Sequence, residues 1–400
     1  RFSPIETLSP VMAEILIAGV GATDFGDHTG RTGRELFAEA SSSALEQSAV
    51  PRSDVDALYY GNYMGETAER QSHQAPLMAS AVGTTDLEAT RVENACASGG
   101  YAVADGVRAI TSGEVDVILV GGLERMTTLE TAETTAALAR AADELHEGRP
   151  GLTFPGAYAL LADAYMERFG GSREDLAHIA VKNHANATTN PKAQFQSEID
   201  VADVLEAPPV ADPLGVLDAC PITDGAAAAV LVSGEYATEH DLEPTVAITG
   251  SGRGTETLAL QERGELTRTR AAESAAQAAY DRAEVTAADV DVAEVHDCFT
   301  IAEVLALEAL GFYEPGEAIA AARDGETSRD GTLPVNLSGG LKAKGHPVGA
   351  TGVGQLVELT TLLEGTHPNA DAVPDAEVGV THNAGGTVAT AAVHVLEVAK

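Results

Sequence analysis

The sequence repeats itself, and that constrains its fold more than any other feature. Two segments about 231 positions apart read alike: Ile15-Leu-Ile-Ala-Gly-Val-Gly21 and Val246-Ala-Ile-Thr-Gly-Ser-Gly252. Each is a short apolar run ending in glycines, the pattern of a buried strand. Downstream, Ser43 to Asp56 parallels Ala278 to Asp291, each an Ala-rich helical stretch, a turn and an Asp-Val-Asp. Ala-rich helices resemble one another by chance, but strand, helix and Asp-Val-Asp recurring in the same order argue for duplication.

Each half alternates strands with helices, which predicts an α/β fold with largely parallel sheets covered by helices. Val115 to Gly122 reads as a buried strand, preceded by a helix from about Ser98 to Thr111; Val378 to His382 and Val388 to Leu396 read as closing strands. The halves differ between roughly Thr127 and Leu217, where the first carries an insertion with turns such as Asn186 to Pro191 and helices such as Gly156 to Phe169. An excursion this long points to a functional segment. Residues 1–11 read as a poorly ordered extension before Met12, with one half over 12–243 and the other over 244–400.

The charge is extreme: 61 acidic residues against 24 basic, a formal net charge of -37. The acids are scattered through apparently folded segments, unlike a solvating tail. Such a surface suits high salt, where ions screen its self-repulsion, and disfavours nucleic acid and anionic membranes as partners. No apolar run approaches the roughly 20 residues that span a bilayer. The three cysteines, Cys96, Cys220 and Cys298, form no Cys-x-x-Cys pair, so neither a metal site nor a disulfide framework is expected, and a reducing cytoplasm is.

Cys96 lies in Val92-Glu-Asn-Ala-Cys-Ala-Ser-Gly-Gly100, small residues that open a predicted helix. A thiol at a helix N-terminus is placed for nucleophilic work, with a lowered pKa. A distant Gly-rich run, Gly345-His-Pro-Val-Gly-Ala-Thr-Gly352, offers His346 to take its proton. Taken alone, a cysteine such as Cys96 is usually a small buried apolar residue, and a loop histidine such as His346 is as often a surface residue.

Five runs in order, Glu93 to Gly100, Gly121-Gly-Leu-Glu-Arg-Met126, Asp224-Gly-Ala-Ala-Ala228, His296-Asp-Cys-Phe299 and Gly345 to Gly352, resemble the thiolases, in particular their archaeal and sterol-carrier-type branch. The resemblance spans about Ile15 to Leu396. It implies a duplicated, five-layered αβαβα fold of two mixed sheets around central helices, the insertion being a loop domain over coenzyme A. It implies that Cys96 is acylated by an acyl-CoA and that His346 activates it. His296 stands where other thiolases carry Asn, and with His346 would hold the enolate oxygen. The second oxyanion hole would use the backbone N–H groups of Cys96 and Gly385. Asn383 stands where many thiolases have a second reactive cysteine. Cys298 is its natural replacement as proton shuttle; the alternative is a packing residue, with His296 or His346 moving the proton. Asp297 is left unassigned, and Cys220 is expected to be structural.

Gly250-Ser-Gly-Arg-Gly254 follows a strand but lacks the dinucleotide-binding spacing, so no nicotinamide cofactor is expected and coenzyme A enters only as part of a substrate. Its binding residues are not identified; Lys342 and Lys344 are offered to its phosphates or to solvent. The resemblance implies condensation of two acetyl-CoA to acetoacetyl-CoA, feeding the mevalonate route, in a homodimer or homotetramer with a small OB-fold and zinc-ribbon partner. Thiolysis of longer 3-ketoacyl-CoA, supply of polyhydroxyalkanoate precursors, and an inactive scaffold or lipid carrier are the alternatives.

Overall fold

The computed structural model describes residues 14–399, so the extension expected at 1–11 lies outside it. The strands are β1 (Ile15–Ala22), β2 (Ala57–Gly61), β3 (Glu88–Val92), β4 (Val117–Glu124), β5 (Pro209–Ala211), β6 (Leu214–Gly215), β7 (Gly225–Ser233), β8 (Val246–Thr255), β9 (Val292–Glu294), β10 (Val378–Gly385) and β11 (Thr390–Val398). Nine form one mixed sheet in the order β3-β2-β4-β7-β1-β8-β11-β10-β9. The two sheets expected from the sequence are thus joined, through the single paired position Leu16 and Ala247.

Outward from that seam the two halves match. β1 and β8 lead to antiparallel neighbours β7 and β11, then to β4 and β10, each of which pairs in parallel with the next strand, β2 or β9. Helices Ser98–Ser112 and Thr351–Leu363 pack on each other and on strands of both halves, while Gly33–Ser48 covers β1 and β7 and Arg270–Ala283 covers β8 and β11. This gives five layers with a shared central pair of helices. β7 is buried along its whole length, which explains its unbroken apolar run.

The repeated sequence features act alike in both halves. A Cβ at Gly21 would strike the Ala40 carbonyl oxygen, and one at Gly252 that of Ala275; the glycines let the covering helix lie directly on the strand. The second Asp of each Asp-Val-Asp pins a neighbouring strand. Asp56 Oδ2 accepts from the N–H groups of Asp116 and Val117 (3.0 and 2.9 Å), and Asp291 Oδ2 from those of Glu377 and Val378 (2.8 and 2.9 Å).

Between β4 and β7 the chain forms the helices Thr131–Leu138, Phe154–Phe169, Arg173–Ala187 and Val201–Glu206 and the β5–β6 hairpin. Apolar side chains of Phe154–Phe169, including Tyr158 and Leu161, join the core of the second half with Ile301 and Leu305 of helix Thr300–Ala309. The insertion therefore lies over the half that it does not belong to.

Candidate active site

Cys96 stands two residues before helix Ser98–Ser112, on an elbow tied by the Ser98 hydroxyl. That hydroxyl accepts from the Asn94 N–H (2.9 Å) and donates to the Ala95 carbonyl (2.6 Å), with Ala95 held at a left-handed φ of 49°. Such strained backbone recurs at functional sites. His346 precedes the equivalent helix of the other half, Thr351–Leu363. At their first turns the two helices meet through glycine: a Cβ on Gly99 would lie 2.8 Å from Gly349 O and 3.0 Å from Gly352 N.

Buried acids of the quoted motifs hold this junction by accepting backbone N–H bonds. Glu124 takes those of Tyr63 (2.9 Å), Met64 (2.9 Å) and Gly349 (3.1 Å) and the Asn62 amide (2.8 Å). Burial pushes its carboxyl up to about 7 despite these donors. Asp224 takes the N–H groups of Met126 (2.6 Å) and Thr127 (2.8 Å). Asp297, unassigned from sequence, takes those of Leu341 (2.6 Å) and Lys342 (3.2 Å) and the Asn183 amide (2.7 Å). These acids tie loops together; they do not orient a histidine.

The hydrogen bonds fix opposite tautomers for the two histidines. The Thr351 hydroxyl donates to Pro347 O (3.0 Å), so toward His346 Nδ1 (2.7 Å) it accepts. His346 is therefore protonated at Nδ1 and aims a free Nε2 lone pair into the site, as a base requires. The Asn383 amide donates to His296 Nδ1 (3.2 Å) and to Cys96 O (3.0 Å), while its oxygen accepts from the Gly100 N–H (3.0 Å). His296 accordingly carries its proton on Nε2, as an oxyanion donor requires. Both Nε2 atoms are buried without a protein partner. The rings meet edge to face, centroids 4.9 Å apart, and the ligand-type atoms of Cys96, His296 and His346 lie within 4.8 Å of one another. Among the described residues this is the one such cluster close enough to hold a metal ion.

The electrostatics correct one expectation. Burial pushes the Cys96 thiol up to about 12, outweighing the Gly386 N–H that favours the thiolate, and holds His346 down to about 3. Burial holds His296 well below its ordinary 6.5, helped by the neighbouring His346 and His382. At rest, cysteine and histidine form a neutral pair, and the thiolate arises only as the proton moves during attack.

A cavity of about 200 Å³ opens on Cys96 and His346. Its wall is mostly apolar, including Met126, Leu138, Phe154, Ile222 and Phe299. Cys298 lines it too, and so does Cys220, expected to be structural. Cys220 N–H donates to Cys298 O (3.0 Å). Gly385 ends β10, and the backbone N–H that faces the Cys96 sulfur is that of the next residue, Gly386. Lys342 and Lys344 are buried, not solvated. Lys344 pairs with the buried Glu358 at 2.7 Å, and Lys342 approaches His184 Nε2 at 3.4 Å.

Family models place the geometry. A thiolase N-terminal domain matches residues 15–235 and a thiolase C-terminal-domain-like model matches 252–398. The chain belongs to the thiolase family. This thiolase is 43% identical to an acetyl-CoA acetyltransferase of Methanothermobacter thermautotrophicus, over 96% of the chain and 99% of the relative. It is 39% identical to the acetyl-CoA acetyltransferase of Methanocaldococcus jannaschii over the same shares. It is 31% identical to bovine sterol carrier protein 2, over 96% of the chain and 72% of that protein. Among solved structures it is similar to a chain of the Ltp2-ChsH2(DUF35) aldolase, with a TM-score of 0.83 and 26% identity over 96% of this chain and 98% of that one. Thiolases are enzymes that work on CoA thioesters without a cofactor. No helix among the described residues is long and apolar enough to cross a membrane.

Proposed function

We propose that this thiolase condenses two acetyl-CoA to acetoacetyl-CoA and free CoA. The observation that carries this reading is the free Nε2 lone pair of His346 turned toward Cys96 beside the Nε2–H of His296. His346 takes the Cys96 proton as sulfur attacks the first thioester, and the leaving CoA sulfur takes the proton of Cys298, giving acyl-Cys96, CoA and a Cys298 thiolate. Cys298 removes the α-proton of the second acetyl-CoA. The enolate oxygen is held by His296 and by the now protonated His346, and the carbanion attacks acyl-Cys96. The acyl oxygen is received by the N–H of Cys96 and that of Gly385, with Gly386 adjoining.

On this reading the stretch of about 127–217 is the loop domain over coenzyme A, between halves at 12–243 and 244–400. Identity to two archaeal acetyl-CoA acetyltransferases supports the acetyl substrate. The mevalonate route, a cytoplasmic homodimer or homotetramer, and a halophilic source belong to the same reading. The net charge of -37 supports the last. Similarity to the Ltp2-ChsH2(DUF35) aldolase supports a small partner protein. The apolar cavity wall favours a second reading, thiolysis of longer 3-ketoacyl-CoA.

Loss of acetoacetyl-CoA enolate absorbance on adding CoA in molar KCl tests the proposal. Turnover with acetoacetyl-CoA that exceeds turnover with longer 3-ketoacyl-CoA supports the biosynthetic reading. The reverse ratio supports the second, and no turnover, alone or with a co-purified partner, overturns both.

A further inference from the structure

Asn383 is buried on β10 of the second half, with 1% of its surface exposed, and its amide reaches the nucleophile of the first half. Nδ2 donates to Cys96 O (3.0 Å) and to His296 Nδ1 (3.2 Å), and Oδ1 accepts from the Gly100 N–H (3.0 Å). Two of these partners are backbone groups with one role each: Cys96 O can only accept, and the Gly100 N–H can only donate. Turning the amide over would set oxygen against oxygen and N–H against N–H. Gly100 is itself held, since its carbonyl accepts from His394 Nε2 (3.0 Å). Glycines close on the amide from two sides: a Cβ at Gly352 would strike Asn383 Oδ1, and one at Gly100 would lie 3.0 Å from it. The amide therefore has one orientation, and in it His296 meets a donor.

We propose that Asn383 is a positioning residue that commits His296 to donating a hydrogen bond during enolate formation and bars it from acting as a base. The inference rests on the reading of His296 as a holder of the enolate oxygen. In that step the α C–H bond of the second acetyl-CoA breaks. Its proton goes to the Cys298 thiolate, and its electron pair moves onto the thioester oxygen. That oxygen needs a hydrogen already aimed at it. With Nδ1 accepting from Asn383, the neutral ring carries its one proton on Nε2 and meets the need without a second proton. Nε2, buried and without a protein partner, is the atom left to face substrate. The same ring keeps no lone pair in the site, so of the groups open from sequence to move the α-proton, His296 is excluded. Because one amide also holds Cys96 O, the oxyanion donor is aligned directly on the elbow that carries the nucleophile.

Two measurements test this. In wild-type protein labelled with nitrogen-15 histidine, the NMR signals that His296→Ala removes should show a neutral ring protonated at Nε2 and bare at Nδ1. The reverse pattern would overturn the proposal, and this reading needs no variant of Asn383. Asn383→Asp faces Nδ1 with an acceptor, so the neutral ring should carry its proton there and turn a lone pair on the enolate oxygen. The assay is deuterium wash-in from D2O into the acetyl-CoA methyl group, divided by exchange of labelled CoA into acetyl-CoA. Exchange reports acylation and absorbs any damage to the Cys96 elbow. At about pH 9, well above the ordinary histidine value of about 6.5, the ratio should fall by about 100- to 1,000-fold, the cost of losing an oxyanion donor. In a His296→Ala background the same substitution should leave the ratio within about twofold, because the group it acts through is gone. No fall, or an equal fall in both backgrounds, would overturn the proposal. Wash-in that survives His296→Ala would instead show that the reading of His296 as a holder of the enolate oxygen is wrong.

Discussion

The two halves of the molecule are built alike and equipped differently. In each, a glycine-bearing strand lies under an outer helix, an aspartate pins the neighbouring strand, and a second helix runs into the shared central layer. The first half puts a cysteine ahead of that inner helix and the second puts a histidine ahead of its counterpart. Packing the two helices through Gly99, Gly349 and Gly352 brings nucleophile and base together, although 250 positions separate them in the chain. The difference teaches that duplication supplied the meeting point and later divergence the chemistry.

The comparison breaks most completely at its chemical end. Cys96→Ala should abolish turnover, since it removes the thiol that clusters with His346 and His296. His346→Ala should lower kcat by about 100- to 10,000-fold, the range for a general base, with the fold retained by circular dichroism. His296→Asn should cost less than His346→Ala because one side-chain N–H donor is replaced by another.

At the junction, Gly352→Ala should force the central helices apart, because the added methyl group would meet the Gly100 backbone and the Asn383 amide oxygen. Overpacking of this kind costs about 1–3 kcal/mol, readable as a lower denaturation midpoint with a larger loss of kcat. Acid should act on both halves together. His184, His382 and His394 are held down to about 4, His346 to about 3, and His296 well below 6.5, all mainly by burial. Their folded pKa values lie below the unfolded ones, so the unfolded chain binds more protons in acid. The stability they contribute is complete above about 6.5 and is lost as pH falls toward 4. Denaturant titrations across that window should show it, set against the smaller opposite contribution of Glu124, whose carboxyl is pushed up to about 7; a midpoint that rises on acidification would contradict it.

The smallest effect sharpens the symmetry. Asp56→Asn and Asp291→Asn each weaken one strand-pinning contact at equivalent exposed positions, so their denaturation midpoints should fall slightly and by similar amounts. Clearly unequal falls would show that the two contacts are not equivalent.

Much of this was legible in the chain. The repeat gave the paired strands and helices, and the Gly-rich frames of Cys96 and His346 marked two loops with special backbone. What stayed hidden depends on distant partners. Glu124 and Asp224 stood in quoted motifs, but their work is to bind backbone N–H groups from loops elsewhere, which carry no side-chain signature. Lys344 was offered to phosphates or to solvent because Glu358, its buried counterion, lies 14 positions on along a helix. Tyr158 and Cys220 gave no local signal and became visible only when the insertion folded over the second half. The direction of the Cys96 shift was misjudged because helix position is read from sequence, whereas burial of the thiol is set by the assembled cavity.

The most direct test of the account is whether acyl transfer runs through one thiol despite three in the cavity. Purified enzyme would be treated with acetyl-CoA without a second substrate, digested and mapped by mass spectrometry. The account predicts an acetyl group on Cys96 alone, formed in wild type and lost in Cys96→Ser, and formed far more slowly in His346→Ala. An acetyl group on Cys220 or Cys298, or labelling of Cys96 that is unaffected by loss of His346, would contradict it.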